Sequence, residues 1–431
     1  MSGFSDPRWF DRDGAVDRAE VVCRAVPQDD GTYIRAAETK SGAPLDVVTF
    51  RVCEGPLAGR HAGLLVWPPR TAADRERALG PLGSTADRDE LEQRLATAAV
   101  RCRVETSPFG DLEVRRLLDL APDCALPDAA GPQPPAVRDD LLPPAPPEAP
   151  AWTTRILRSA DEVQEAAQLL RDQPALAVDI ETACTRLPPD EREGRGAFEP
   201  WNGTVRLVQI AAPGPDGSPI AVVVDCWELD PAPLLALLGD GRRVIAHNAK
   251  FEQTWIAYRW GVELGGLFDT CAWWSVIARH LDAAGFDHGV EDAKLVTLAA
   301  RFLGAELDKT FQTSDWSQEE LSDGQLAYAA EDAAILLPLA VILEQLGEEL
   351  GCTDQARLAS LAGARRVLWT TKLGAEREPD EREEALAMIG SASSAADLEQ
   401  AGAIMRRMVL SAASRQAVAA AYRARRSALA A

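Results

Sequence analysis

The chain has 431 residues, 46% of them hydrophobic, with 67 acidic against 45 basic side chains and a formal net charge of −22. That length implies two or three domains, each large enough to bury a core. Eight cysteines without a CxxC pair and only four histidines exclude a zinc-type cluster, and predict free thiols in a reducing, cytoplasmic setting without a disulfide framework. No run reads as the roughly twenty apolar residues a membrane span needs, and Met1–Asp6 has no leader pattern, so no membrane partner is expected.

In chain order, the first predicted elements are strands over Thr32–Glu38 and Leu45–Cys53, joined by a turn at Ser41–Pro44. Gly55, Pro56 and Gly59 then turn the chain into a third strand, His61–Trp67. A helix over Asp87–Ala99 and a strand near Val100–Glu105 follow. Short strands with one helix suit a small β-barrel of OB-like type in residues 1–120. The stretches Thr39–Gly42 and Glu54–Arg60 resemble small phage-type proteins that bind single-stranded DNA. Tyr33, Phe50, Trp67 and Phe109 are candidates to stack bases, with Arg35, Lys40, Arg51 and Arg60 near phosphates. The same aromatics serve equally well as the core of such a barrel. Residues 121–150 are proline-rich and read as an extended, semi-rigid linker.

Beyond the linker, Thr153–Leu157 reads as a strand, and Ser159 with Glu162 forms a capping-box pattern that starts a helix. Strand Ala175–Ile180 comes next, then a long polar loop from Ala183 to Thr204 and a meander of strands Val205–Ala211 and Ile220–Asp225. Strand Arg243–Ala246 leads to a helix begun by Asn248 and ended near Gly261. Ser322 and Gln325 form a second capping box, whose helix runs to about Gly347. Residues 351–431 read as a helical C-terminal module, with starts near Ser394 or Ala395 and near Ser411. From Gln400 onward this module has arginines and no acids, either as a solvated face or as a contact to phosphate or an acidic surface.

Three fragments carry the chemistry: Ala177–Thr182, His247–Glu252 and Tyr328–Asp332. Alternation along a strand points Asp179 and Glu181 the same way while Leu176, Val178 and Ile180 enter the core. Helical spacing puts Tyr328 over Asp332 and Asn248 over Glu252. Carboxylates so gathered repel one another unless cations sit among them, and two divalent ions, Mg²⁺ or Mn²⁺, about 3.5–4 Å apart are the usual solution at a phosphodiester.

With Arg206–Ala211, Phe268–Thr270 and Leu307–Trp316, these fragments resemble the 3′–5′ exonucleases of the DEDD superfamily, in the subgroup with tyrosine in its third motif. That group includes RNase D, Werner-type exonucleases and the proofreading domain of DNA polymerase I. The resemblance covers roughly residues 153–346 and implies an α/β domain over 151–350, an RNase H-like mixed sheet flanked by helices. It assigns Asp179, Glu181, Glu252 and Asp332 to the metals and Tyr328 to orienting the attacking water. Glu252 departs from the pattern, in which aspartate is commoner, and reaches one methylene farther. Thr182, Asn248 and Phe251 would line the pocket of the 3′-terminal nucleotide, Asn248 also capping its helix. Lys309, Gln312 and Trp316 fall in a segment near the cleft. His247, without a ligand partner at metal spacing, reads as structural.

Residues 151–350 hold about 33 acidic against about 15 basic residues, so this domain should hold nucleic acid weakly without help from its flanks. The expected activity is hydrolysis of nucleic-acid 3′ ends to nucleoside 5′-monophosphates. Single-stranded DNA is favoured over RNA, and a replication protein is a further expected partner. An RNase D-like enzyme acting on RNA and a catalytically silent nucleic-acid-binding scaffold are the alternatives.

Overall fold

A computed structural model describes residues 19–28, 32–38, 44–53, 57, 61–66, 82, 88–106, 112–121, 125, 141–142, 146, 148–186, 199–214, 217–311, 314–362 and 381–430. The chain divides into two compact units, Met1–Ala136 with Leu350–Ala362, and Val137–Glu349 with Gly363–Ala431. Most of the proline-rich linker lies outside the described residues.

The first unit contains strands β1 (Ala19–Ala25), β2 (Ile34–Glu38), β3 (Pro44–Val52), β4 (His61–Val66), β5 (Ala99–Thr106) and β6 (Leu112–Ala121), with helix α1 (Arg88–Thr97) between β4 and β5. Strands β1 and β6 are absent from the sequence-based expectation. β1 pairs antiparallel with both β5 and β3, β3 with β4, β4 in parallel with β6, and β6 with β5, which makes the pairings run in a ring. Among the described residues the ring is thin where β4 meets β6, through Ala62↔Leu112 and Gly63↔Glu113. Alternation turns Val21, Cys23, Val48, Phe50, Val100 and Cys102 into one apolar core. Glu92 of α1 accepts from the backbone N–H groups of Tyr33 and Ile34 at 2.6 and 3.0 Å, fixing the start of β2.

Phe50 therefore fills the core, and Tyr33 packs against it, so neither is set out to stack bases. Trp67, Phe109, Lys40 and Arg60 lie outside the described residues. Cys53 is disulfide-bonded, which corrects the expectation of free thiols throughout.

The second unit is built on a mixed sheet in the order β12-β11-β8-β9-β10-β7. Its strands are β7 (Thr153–Ile156), β8 (Ala175–Ala183), β9 (Thr204–Pro213), β10 (Pro219–Asp225), β11 (Arg243–Ala246) and β12 (Leu267–Asp269). β8, β9 and β10 form the antiparallel meander, while β7, β11 and β12 are added in parallel. Helices α2 (Ala160–Leu170), α3 (Ala232–Leu238), α4 (Lys250–Trp260), α5 (Thr270–Ala283), α6 (Leu295–Leu303) and α7 (Asp323–Glu349) flank it. The Ser322 box forms as expected: the Gln325 N–H donates to Ser322 Oγ at 3.2 Å, and the Ser322 N–H donates to Gln325 Oε1 at 3.0 Å. At Ser159 only the forward arm forms, and Glu162 reaches the Arg158 N–H instead.

α7 is long and apolar enough by composition to cross a membrane, which corrects the reading that no such run exists. In this fold 67% of its most apolar window is buried, and the helix lies across β8, β9 and β10. An all-round apolar helix is what a core position between a sheet and other helices requires.

Three further helices, α8 (Arg382–Ser391), α9 (Ala395–Arg407) and α10 (Ala412–Ala430), share a small core of their own. Ser394 caps α9 in a reciprocal capping box with Asp397. Several arginines of this segment are engaged within the protein. Arg406 donates to the Trp227 carbonyl at 3.0 Å, and Arg407 bridges Glu228 and Glu319 at 3.1 and 2.8 Å.

Candidate active site

β8 is an interior strand, paired with β9 on one side and β11 on the other, so its side chains stand on a rigid base. Leu176, Val178 and Ile180 are buried as the alternation requires, and Asp179 and Glu181 share the opposite face. α7 brings in Asp332. One carboxylate oxygen from each of Asp179, Glu181 and Asp332 lies within 4.8 Å of the other two. The Tyr328 hydroxyl, one helical turn before Asp332, donates a hydrogen bond to it.

The fourth carboxylate, Glu252 on α4, stands outside that tight group but is close enough to raise the Glu181 pKa by its charge. Glu252 is 2% exposed, and its Oε2 has no hydrogen-bond partner. Burial and then the Asp332 charge push the Asp179 carboxyl well above the usual range, against the Ile180 N–H, which lowers it. Glu181 is raised in the same way by burial, then by Asp179, Asp332 and Glu252. Burial and then Asp179 raise Glu252. Tyr328 is also driven upward, by burial first and by Asp332 next, so it stays protonated. Hard carboxylate oxygens with an orphaned buried member, each opposing the ionisation of the next, fit a divalent cation of the Mg²⁺ or Mn²⁺ type.

Two aromatic rings pack near Tyr328. The Phe311 and Trp316 centroids lie 6.3 and 6.4 Å from it. Trp316 is 5% exposed, which places it as support for the tyrosine. Phe311 reaches its position over Gly324, where a Cβ would come 2.6 Å from Phe311 Cζ. The backbone of Lys309 lies in a 3-10 turn, Lys309–Phe311; its side chain and Gln312 lie outside the described residues.

Thr182 follows Glu181 across a register shift and is half-buried. Phe251 packs edge-on against Trp255 with centroids 6.0 Å apart. Asn248 differs from expectation. It does not cap α4, whose N-cap is Ala249 without a side-chain bond, and with φ of 56° it precedes the helix in left-handed backbone. Asn248 is therefore not stacked over Glu252 by helical spacing, and its side chain is exposed.

What holds this turn is Asp269, whose role the sequence reading did not identify. Its carboxylate accepts from the N–H groups of Asn248 and Ala249 at 2.9 and 3.0 Å. It also accepts from Cys271 and Ala272, capping α5. An aspartate directly before an apolar helix is the signal that could have identified it. His247 is structural as expected, with Nδ1 2.8 Å from Thr270 Oγ1. Arg206, 2% exposed, lies over the Trp227 ring and donates to Asp225 and to the Gln318 carbonyl, tying β9 to the segment that leads into α7.

Residues 154–348 match the family model described as 3′–5′ exonuclease. The chain is 31% identical over 208 residues to DNA polymerase I of Aquifex aeolicus, a match covering 46% of this chain and 30% of that protein. It is 30% identical over 198 residues to ribonuclease D of Gluconacetobacter diazotrophicus, covering 45% of this chain and 43% of that one. The chain thus spans less than half the length of either relative. Among solved structures, Escherichia coli RNase D superposes with a TM-score of 0.40 at 20% identity, over 59% of this chain and 62% of its own. Over residues 154–348 the chain is thus similar to 3′–5′ exonuclease domains, a class of hydrolase.

Proposed function

We propose that the protein removes nucleotides from the 3′ ends of single-stranded or frayed DNA, releasing nucleoside 5′-monophosphates. The observation that carries this reading is the convergence of Asp179, Glu181 and Asp332 within 4.8 Å, inside the segment that matches the exonuclease family. Asp179, Glu181, Asp332 and Glu252 would hold two divalent cations, Mg²⁺ or Mn²⁺. Such ions supply a water made acidic enough to attack near neutral pH and a counter-charge for the phosphodiester.

The chain's own residues do the rest. Tyr328, kept protonated and packed near Phe311 and Trp316, gives its proton to Asp332, so its oxygen accepts a hydrogen bond that orients the nucleophile and it is no general base. Thr182, Phe251 and Asn248 border the acids and receive the terminal nucleotide. In the first unit, the strand ring of β1, β5, β6, β4 and β3 is read as an OB-like module that supplies affinity for single strands. Arg35 and Arg51 lie on outward positions of β2 and β3, alternating with buried Ile34 and Phe50.

DNA is favoured because of this module and because one relative is named DNA polymerase I. The relatives named ribonuclease D support RNA as the second reading. Incubation with Mn²⁺ and 5′- or 3′-labelled single strands of both sugars tests the proposal. A 5′ label should yield a ladder and a 3′ label a mononucleotide at once, faster on DNA. Faster decay of RNA would select the second reading, and internal cuts would reject the exonuclease. Long DNA should show a lower KM than a trinucleotide, with a difference that shrinks as salt rises.

A further inference from the structure

Gln209 of β9 stands directly across from Asp179 in the β8–β9 register. Directly opposed residues present their side chains on the same face, with Cβ atoms about 4.5–5.5 Å apart. Gln209 therefore stands next to Asp179 on the same face of the sheet, without a hydrogen bond between the two side chains. It is 0% exposed, and neither Oε1 nor Nε2 has a hydrogen-bond partner. Its neighbour on the other side, Val223 of β10, offers only apolar surface. A methionine or leucine would fill this volume without desolvating two polar atoms, so an amide here is disfavoured on packing grounds alone.

What lies within its reach is an acceptor. Ionised Asp179 can only accept hydrogen bonds, and it takes one from the Ile180 N–H. We infer that Gln209 is a positioning residue for Asp179: rotation of its unpartnered amide brings Nε2–H onto the carboxylate and fixes the orientation in which Asp179 meets a cation. This rests on reading the site as a metal centre. Partners that orient a ligating carboxylate typically change metal affinity by about 10–100-fold when removed.

The test uses the full chain and the variants Gln209→Met and Gln209→Leu. Mn²⁺ affinity is measured by calorimetry without substrate, the melting temperature in EDTA, and kcat and KM on a labelled strand. Positioning predicts an unchanged or raised melting temperature, Mn²⁺ affinity weakened about 10–100-fold, and a fall in kcat with KM held. Gln209→Asn, which withdraws the amide by one methylene, should lose affinity too and decides the matter if the apolar variants do not fold. Wild-type Mn²⁺ affinity and kcat in a folded variant would overturn the inference and leave Gln209 as core filler. Absence of Mn²⁺ binding by the wild type itself would instead overturn the metal centre.

Discussion

Asp269 holds Asn248 by its backbone: the Asn248 N–H donates to Asp269 Oδ1 at 2.9 Å, and the asparagine takes a φ of 56°. The same carboxylate caps α5 through Cys271 and Ala272, so one side chain joins the turn before Glu252 to the next helix. Asp269→Ala leaves buried N–H groups unmet and should cost about 2–4 kcal/mol of stability. Turnover should fall as well, because α4 then loses the anchor that places Glu252. Thermal denaturation and kcat measured together check this. Loss of stability with wild-type turnover per folded molecule would separate Asp269 from the site.

Tyr328→Phe keeps the ring near Phe311 and Trp316 but deletes the hydroxyl. The expected result is a kcat lower by about 10–100-fold, the scale of a lost transition-state hydrogen bond, with KM little changed. Because burial and Asp332 raise the tyrosine pKa, no tyrosine ionisation should appear in the pH–rate profile below about pH 9. Tenfold weaker binding at constant kcat would make Tyr328 a substrate contact instead.

The crowded carboxyls make a second pH dependence. Asp179, Glu181 and Glu252 all have raised folded values, so at these three groups the folded, metal-free protein binds more protons than the unfolded chain. Stability must then fall as pH rises from about 4, where unfolded carboxyls titrate, through the raised folded values. In EDTA this cluster should make the melting temperature drop as pH rises above the unfolded carboxyl range of about 4. Asp179→Asn should flatten the slope and raise the metal-free melting temperature. Added Mn²⁺ should restore stability at neutral pH. A metal-free melting temperature that climbs as pH rises above that range contradicts the account.

Arg259 on α4 is 2% exposed and donates to the carbonyls of Met408, at 2.9 Å, and Arg406. Burial, and next the Arg415 charge, lower its pKa to about 9. Removing residues 381–431 would strand this cation, destabilising the exonuclease domain by about 2–4 kcal/mol. The same deletion in an Arg259→Met background should cost less, and chemical denaturation of the four proteins measures the coupling. Additive losses would mean that the C-terminal helices support the domain elsewhere.

The parts of this fold legible in the sequence are those set by local rules. Alternation placed Asp179 and Glu181, i to i+4 spacing placed Tyr328 over Asp332, and Ser322 with Gln325 marked the start of α7. Asn248 was misread because a left-handed residue before a helix leaves no hydropathy pattern, and its anchor Asp269 lies 21 residues away. The supporting role of buried Trp316 and the anchoring of Arg406 and Arg407 rest on contacts distant in sequence, which periodicity does not encode. β6 is obscured by the adjacent Arg115 and Arg116, which interrupt its apolar alternation, whereas β1 does alternate, with Val21, Cys23 and Ala25 buried.

Every role assigned around Asp179 depends on the cluster hydrolysing nucleic acid from its 3′ end with divalent metal. The most direct measurement is digestion of a 5′-labelled single strand in Mn²⁺ by wild type and by Asp179→Ala, with circular dichroism and melting to show that the variant is folded. The account predicts a ladder shortening from the 3′ end with wild type, suppressed by EDTA, and an intact strand with the folded variant. A full ladder from Asp179→Ala would contradict it.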